Sequence, residues 1–150
     1  MDKGMRMAVT RFYWEPDIPE DVCDIIRPFL DSWKELIPTW CQDFTIRYDH
    51  SAQVLARTII NYSTRWAVVV ITPEWIAESE KTRENAVIHE LIHLNLEPLQ
   101  RATGQIIKDV IEEETPIHKL ATTMFEDGME SAVQDLAKGI ERLLNQRRDN

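Results

Sequence analysis

Glycine is scarce in this chain, four in 150 residues, and no Gly/Ser-rich linker divides it. Internal repeats and low-complexity segments are absent as well, so the length suits one domain, residues 1–150, with a real core. Cysteine is nearly missing. Cys23 and Cys41 cannot build a disulfide framework, and without CxxC spacing they read as small core residues rather than metal ligands. No apolar run approaches the ~18 residues of a membrane span. The opening MDKGMRMAVTRFYWEP has two early basic residues but neither a long apolar stretch nor a small-residue cleavage site. These absences predict a cytoplasmic protein with no membrane partner. Basic charge is also short, 17 Lys and Arg against 26 Asp and Glu, for a formal net charge of −9. A nucleic-acid partner is therefore not expected, because binding one needs cations to displace counterions from phosphates. The basic pair in the terminal NQRRDN reads as a solvated tail.

What is present is a globular balance, 43% hydrophobic and 29% charged. The pattern predicts an α+β fold with strands in the first half and helices in the second. MRMAVTRFYW suits a first strand. PEDVCDIIRPFLDSWKELI has apolar residues at helical spacing from Val22 to Ile37, with a kink or break expected at Pro28. DFTIRY alternates Phe44, Ile46 and Tyr48 against Thr45 and Arg47, as a half-buried strand does. QVLARTIINY and RWAVVVIT look like two strands of a hairpin or meander. In TPEWIAESE, Thr72 is a candidate N-cap with Pro73 in the first helical position. A helix then runs from about Thr82 to Leu96, with Pro98 expected to end it or to start the next. PLQRATGQIIKDVIEEE is a further helical stretch. A long last helix runs from about Pro116 to Leu144, with Ile117, Leu120, Ala121, Met124, Met129, Val133, Leu136, Ile140 and Leu143 as its apolar positions.

The stretch ENAVIHELIHLNLEPL carries the chemistry. At about 100° per residue, positions four apart on a helix lie about 40° apart, so His89 and His93 point the same way one turn apart. Val87, Ile88, Leu91, Ile92 and Leu94 share a broad arc on the other side. One face thus packs on a core while the imidazoles line a cleft. This is the H-E-x-x-H arrangement of a zinc hydrolase. Imidazole nitrogens with a carboxylate suit Zn2+, and a catalytic site keeps its fourth position open. Bound zinc lowers the pKa of water toward ~7. Glu90, projecting beside the two histidines, is placed to act as general base and later to hand the proton to a leaving amine. A chance H-E-x-x-H is expected on the order of once per hundred chains of this composition.

Two histidines need a third ligand. The extended form H-E-x-x-H-x-x-G-x-x-H is excluded, because Leu96 stands where its glycine would be and Leu99 where its last histidine would be. The remaining candidates are Glu130, Glu126, His118 and, more remotely, His50. Glu130 and Glu126 both border the apolar arc of the last helix.

These residues resemble the zincin metallopeptidases of the gluzincin kind, with two histidines and a downstream glutamate. More narrowly, VIHELIHLNLEPL and ESAVQDLA are similar to small metallopeptidases of bacteriophages and bacterial genomes. The resemblance covers about the last two thirds of the chain. It implies a minimal zincin: a small twisted sheet packed on the active helix, with the long C-terminal helix delivering the glutamate. It also implies His89, His93 and Glu130 as zinc ligands, Glu90 as catalytic base and a peptide or protein substrate. In that architecture the strand before the active helix, here WAVVVIT, is often a sheet edge open to strand addition. The same run also fits a buried core strand. The SprT-like DNA-repair zincins share the first motif, but this chain is acidic and lacks a Cys-rich ribbon.

The leading expectation is therefore a zinc-dependent peptidase. The alternatives are a non-catalytic, zinc-stabilised interaction protein and a metallohydrolase acting on another amide-like bond.

Overall fold

The computed structural model describes residues 10–148. The chain is α+β. Strand β1 (Arg11–Trp14) is followed by helix α1 (Glu20–Ile26), a 3-10 turn (Arg27–Phe29) and helix α2 (Leu30–Leu36). Pro28 does break the first helical stretch, because its ring cannot continue the α-helical hydrogen bonds. Strands β2 (Asp43–Tyr48), β3 (Ala56–Asn61) and β4 (Trp66–Ile71) follow, then the short helix α3 (Pro73–Ala77). Two long helices complete the chain, α4 (Glu80–Val110) and α5 (Pro116–Arg148). The first strand expected from residue 5 is found only over its last part, and residues 5–9 lie outside the described residues.

The sheet order is β1-β2-β4-β3, with β1, β2 and β4 parallel and β3 antiparallel to β4. Of the two readings left open for WAVVVIT, the structure takes the buried core strand over the sheet edge. β4 is an interior strand, buried from Ala67 to Ile71, and the sheet edge beside α4 is β3. Both faces of β4 are buried, with Ala67, Val69 and Ile71 on one and Val68 and Val70 on the other, which explains the unbroken Ala-Val-Val-Val-Ile run. On one side of the sheet Phe44, Ile46, Val69 and Ile71 share a core with Ile26, Phe29 and Trp33 and with Trp75, Val87, Leu91 and Leu94. Cys41 is buried in this core and Cys23 is half-buried, neither in a disulfide.

Thr72 caps α3 as expected. Its hydroxyl accepts from the Trp75 N–H at 3.3 Å and donates to the Val54 carbonyl at 2.6 Å, tying the cap to the segment before β3. Thr72 is fully buried, so Thr72→Ala leaves these partners unsatisfied. It is expected to cost about 1–2 kcal/mol in urea unfolding, while Thr72→Ser retains most of the stability.

α4 starts under Ser79, which accepts from the Thr82 N–H at 3.3 Å. It then runs 31 residues straight through Pro98. The expected stop at Pro98, and the separate helix after it, are therefore one helix. Pro98 has no N–H for the Leu94 carbonyl one turn earlier, a loss of about 3 kcal/mol in an isolated helix. The buried contact of α4 with α5 lies before Pro98, and past it the two helices run on side by side, with Gly104 and Ile107 across a cavity from His118, Thr122 and Phe125. Ile88 and Ile92 of α4 bury against Val133 and Ala137 of α5. Beyond them, Asn85 donates to Glu141 at 3.0 Å and Lys81 pairs with it at 3.3 Å. Among the described residues no helix is long and apolar enough to cross a membrane.

Candidate metal centre

The site lies where α4 passes between α5 and the β3 edge. Val87, Ile88, Leu91, Ile92 and Leu94 are all buried, and this anchoring turns His89 and His93 toward a cleft with only 17% and 24% of their side chains exposed. The two Nε2 atoms lie 3.2 Å apart. From α5, Glu130 reaches both, with one oxygen 3.1 Å from His89 Nε2 and the other 3.2 Å from His93 Nε2. Val133 and Ala137 place it there, because their burial against Ile88 and Ile92 sets the rotation of α5 one turn further on.

These separations bear on what the group can hold. Ligand atoms about 2.0–2.1 Å from a tetrahedral zinc lie roughly 3.3 Å from one another. The spacing of the two Nε2 atoms falls just inside that value, as does the distance from each to its nearer Glu130 oxygen, a different oxygen for each histidine. Two imidazole nitrogens and a carboxylate oxygen lie within 4.8 Å of one another, and together they are a donor set able to hold a metal ion. Zinc fits that set by donor chemistry and by spacing.

Glu90 stands beside the cluster without joining it. One of its carboxylate oxygens accepts the backbone N–H of Thr58 on β3 at 2.7 Å. Burial pushes its pKa above the ordinary glutamate value. The Thr58 hydrogen bond and the neighbouring histidines oppose that rise. The carboxylate is thus tethered through one oxygen, and its second oxygen is not the acceptor in that bond.

The other candidates are elsewhere. Glu126 lines a cavity of about 250 Å³ between α4 and α5, together with Gln100, Lys108 and His118. His118 Nε2 is buried there without a hydrogen-bond partner. His50 packs its ring on Tyr48, with centroids 4.5 Å apart.

Around the three candidate ligands the cleft measures about 530 Å³ and is lined by Thr58, Ile60, Glu90, Glu97 and Gln100. A smaller hollow of about 240 Å³ extends past His89 and Glu90 toward Leu55 and Ala56. The two together follow the β3 edge. Two of these positions were not singled out from the sequence. Glu97 continues the spacing of four set by His89 and His93, a signal that was there to be read, and burial raises its pKa despite Arg101 nearby. Thr58 contributes a backbone N–H, and nothing in its local sequence marks that role.

Comparison with protein-family models, with curated proteins and with solved structures gives no match in any of the three.

Proposed function

We propose that the protein is a zinc-dependent peptidase whose centre is His89, His93 and Glu130, with Glu90 as general base. The observation that carries this reading is the convergence of the two Nε2 atoms and the Glu130 carboxylate within 3.2 Å of one another, beside a second carboxylate, Glu90, kept out of the cluster. Metal binding alone does not need that carboxylate, whereas hydrolysis does. When bound, zinc supplies Lewis-acid polarisation of the scissile carbonyl and acidifies water toward ~7. Thr58 N–H holds Glu90 in place. The Glu90 carboxylate takes the proton of the attacking water, and the same carboxyl returns it to the amine nitrogen as the peptide bond breaks.

The β3 edge supports a peptide substrate. In an antiparallel pair the outward-directed backbone groups alternate along the strand. Thr58 N–H points away from β4, so Ala56 and Ile60 also turn their backbone groups to the open edge, and both line the groove. An extended peptide can add there as a strand. The cleft lining holds Glu90, Glu97 and Glu130 but no Lys or Arg. That balance favours substrates with basic side chains near the scissile bond.

The Thr58–Glu90 hydrogen bond also favours a second reading, in which Glu90 merely ties α4 to the sheet and the metal stabilises an interaction protein. A peptide library separates the two. The zinc-loaded protein is expected to cleave it, with a preference for basic residues at the cut. Chelation should abolish cleavage and added zinc should restore it. Hydrolysis of simple amides but of no peptide would point to another metallohydrolase, and no hydrolysis at all to the interaction protein.

A further inference from the structure

Beyond the sheet, α4 and α5 continue as a two-helix arm in which residues 98–110 and 116–132 include no buried residue. An arm of this kind is ordinarily polar outside. Here Leu99, Ile106 and Val110 of α4 and Ile117, Leu120 and Met124 of α5 are each 55% to 76% exposed. At about 100° per residue, each set of three falls within about 60° on its own helix. The direction in which α4 faces α5 is given by Gly104 and Ile107, and the reverse direction by His118, Thr122 and Phe125, all lining the cavity between the helices. The apolar stripe lies about 110° from that contact on α4 and about 130° from it on α5. Because the helices are antiparallel, both stripes come out on the same side of the arm. They form one apolar face, with Asp127 at its rim about 20° from Leu120.

This face is continuous with the one that α2 covers nearer the sheet. Asn95 donates to the Leu36 carbonyl at 2.6 Å, and Leu99 follows it one turn later on the same stripe, past the end of the cover. Glu90 lies on the opposite side of α4, bonded to Thr58 of β3. The exposed face is thus turned away from the proposed metal cleft.

We propose that this face pairs with the same face of a second copy, the arms lying antiparallel in a four-helix bundle. Area argues for it. The six side chains leave roughly 650 Å² open, above the largest patch of most monomers and close to the ~800 Å² per partner of a standard interface. Register argues for the antiparallel sense. A two-fold axis across the arm, midway between Leu99 and Val110, brings Leu99 level with the partner's Val110 and Leu120 level with the partner's Met124. The same axis brings Ile117 within one turn of the partner's Gly128. Gly128 is the notch this needs. A Cβ placed there meets nothing within 4 Å in its own chain, so the chain's own packing does not call for glycine in mid-helix. The same operation sends the two sheets to opposite ends of the pair, and the metal clefts, on the opposite side of α4, stay outside the interface.

The test is the mass of the full-length protein by sedimentation and light scattering over a micromolar concentration series. The expected result is twice 17.6 kDa. Ile106→Glu combined with Met124→Glu buries unpaired charges in the interface and is expected to raise the dimer dissociation constant at least ~100-fold. Helix content and zinc content should not change. Gly128→Leu raises helix propensity yet fills the notch. It is expected to weaken the dimer ~10-fold while the monomer becomes more stable to heat. A wild-type protein that is monomeric at every concentration overturns the proposal, whatever else the face binds. So does a dimer that survives the two glutamates. A dimer that tolerates Gly128→Leu overturns the antiparallel register.

Discussion

Glu90→Gln is expected to lower peptide hydrolysis by about 10²–10⁴-fold, the contribution of a positioned general base, with zinc content unchanged. The substitution is close to isosteric. The glutamine carbonyl oxygen can still accept the Thr58 N–H, so the tie between α4 and β3 survives and the protein should unfold at the same denaturant concentration as the wild type. What is lost is the capacity to take a proton and to return it to the leaving amine. One variant measured three ways, by metal analysis, peptide cleavage and urea unfolding, separates catalysis from scaffolding. Equal cleavage by both forms would remove Glu90 from the mechanism. If the role of Glu90 were only to hold α4 against the sheet, Glu90→Ala should destabilise the fold while Glu90→Gln changes nothing at all.

Removal of either histidine is expected to empty the metal site. Each of the three candidate ligands spans to the other two within 3.2 Å, and a tetrahedral centre left with two protein ligands loses the geometry that zinc requires. Elemental analysis of the dialysed protein should find about one zinc per chain in the wild type and none in His89→Ala or His93→Ala. Glu130→Gln should lower zinc affinity by more than the roughly 10–100-fold typical of outer-sphere partners. Glu126→Gln, in a separate cavity with His118, should leave it near the wild-type value. Equal zinc in the His89→Ala/His93→Ala double variant would end the metal reading. A larger effect at Glu126 than at Glu130 would mean that α5 sits one turn away from the packing described.

Several features were legible in the residues alone, each for a local reason. His89, Glu90 and His93 declare themselves because a spacing of four on an amphipathic helix sets their common direction wherever the helix goes. Pro28 marks its break and Thr72 its cap because both act on the backbone within one turn. The alternation in DFTIRY and the β-branched runs of β3 and β4 mark strands through periodicity. Other features depended on segments far apart in sequence. WAVVVIT reads equally well as an edge or a centre. Only the insertion of β4 between β2 and β3 decides between them, and that pairing joins strands separated by loops. Pro98 carries a true local penalty, yet α4 continues through it alongside α5.

Glu126 and Glu130 border the same apolar arc and differ by one turn, about 5.4 Å along the axis. Sequence periodicity is blind to a shift of that size. The burial of Val133 and Ala137 against Ile88 and Ile92 is not, and it brings Glu130 to the histidines while leaving Glu126 beside His118. Likewise Ile117, Leu120 and Met124 looked like core by spacing. The sheet and α2 end too soon to cover them, so they stand in solvent. By itself the sequence determined which side chains share a face and which donor atoms they present there. The level at which α5 meets α4, and the strand that offers its edge to the cleft, were decided only by tertiary packing, because both are set by long-range burial rather than by any local preference.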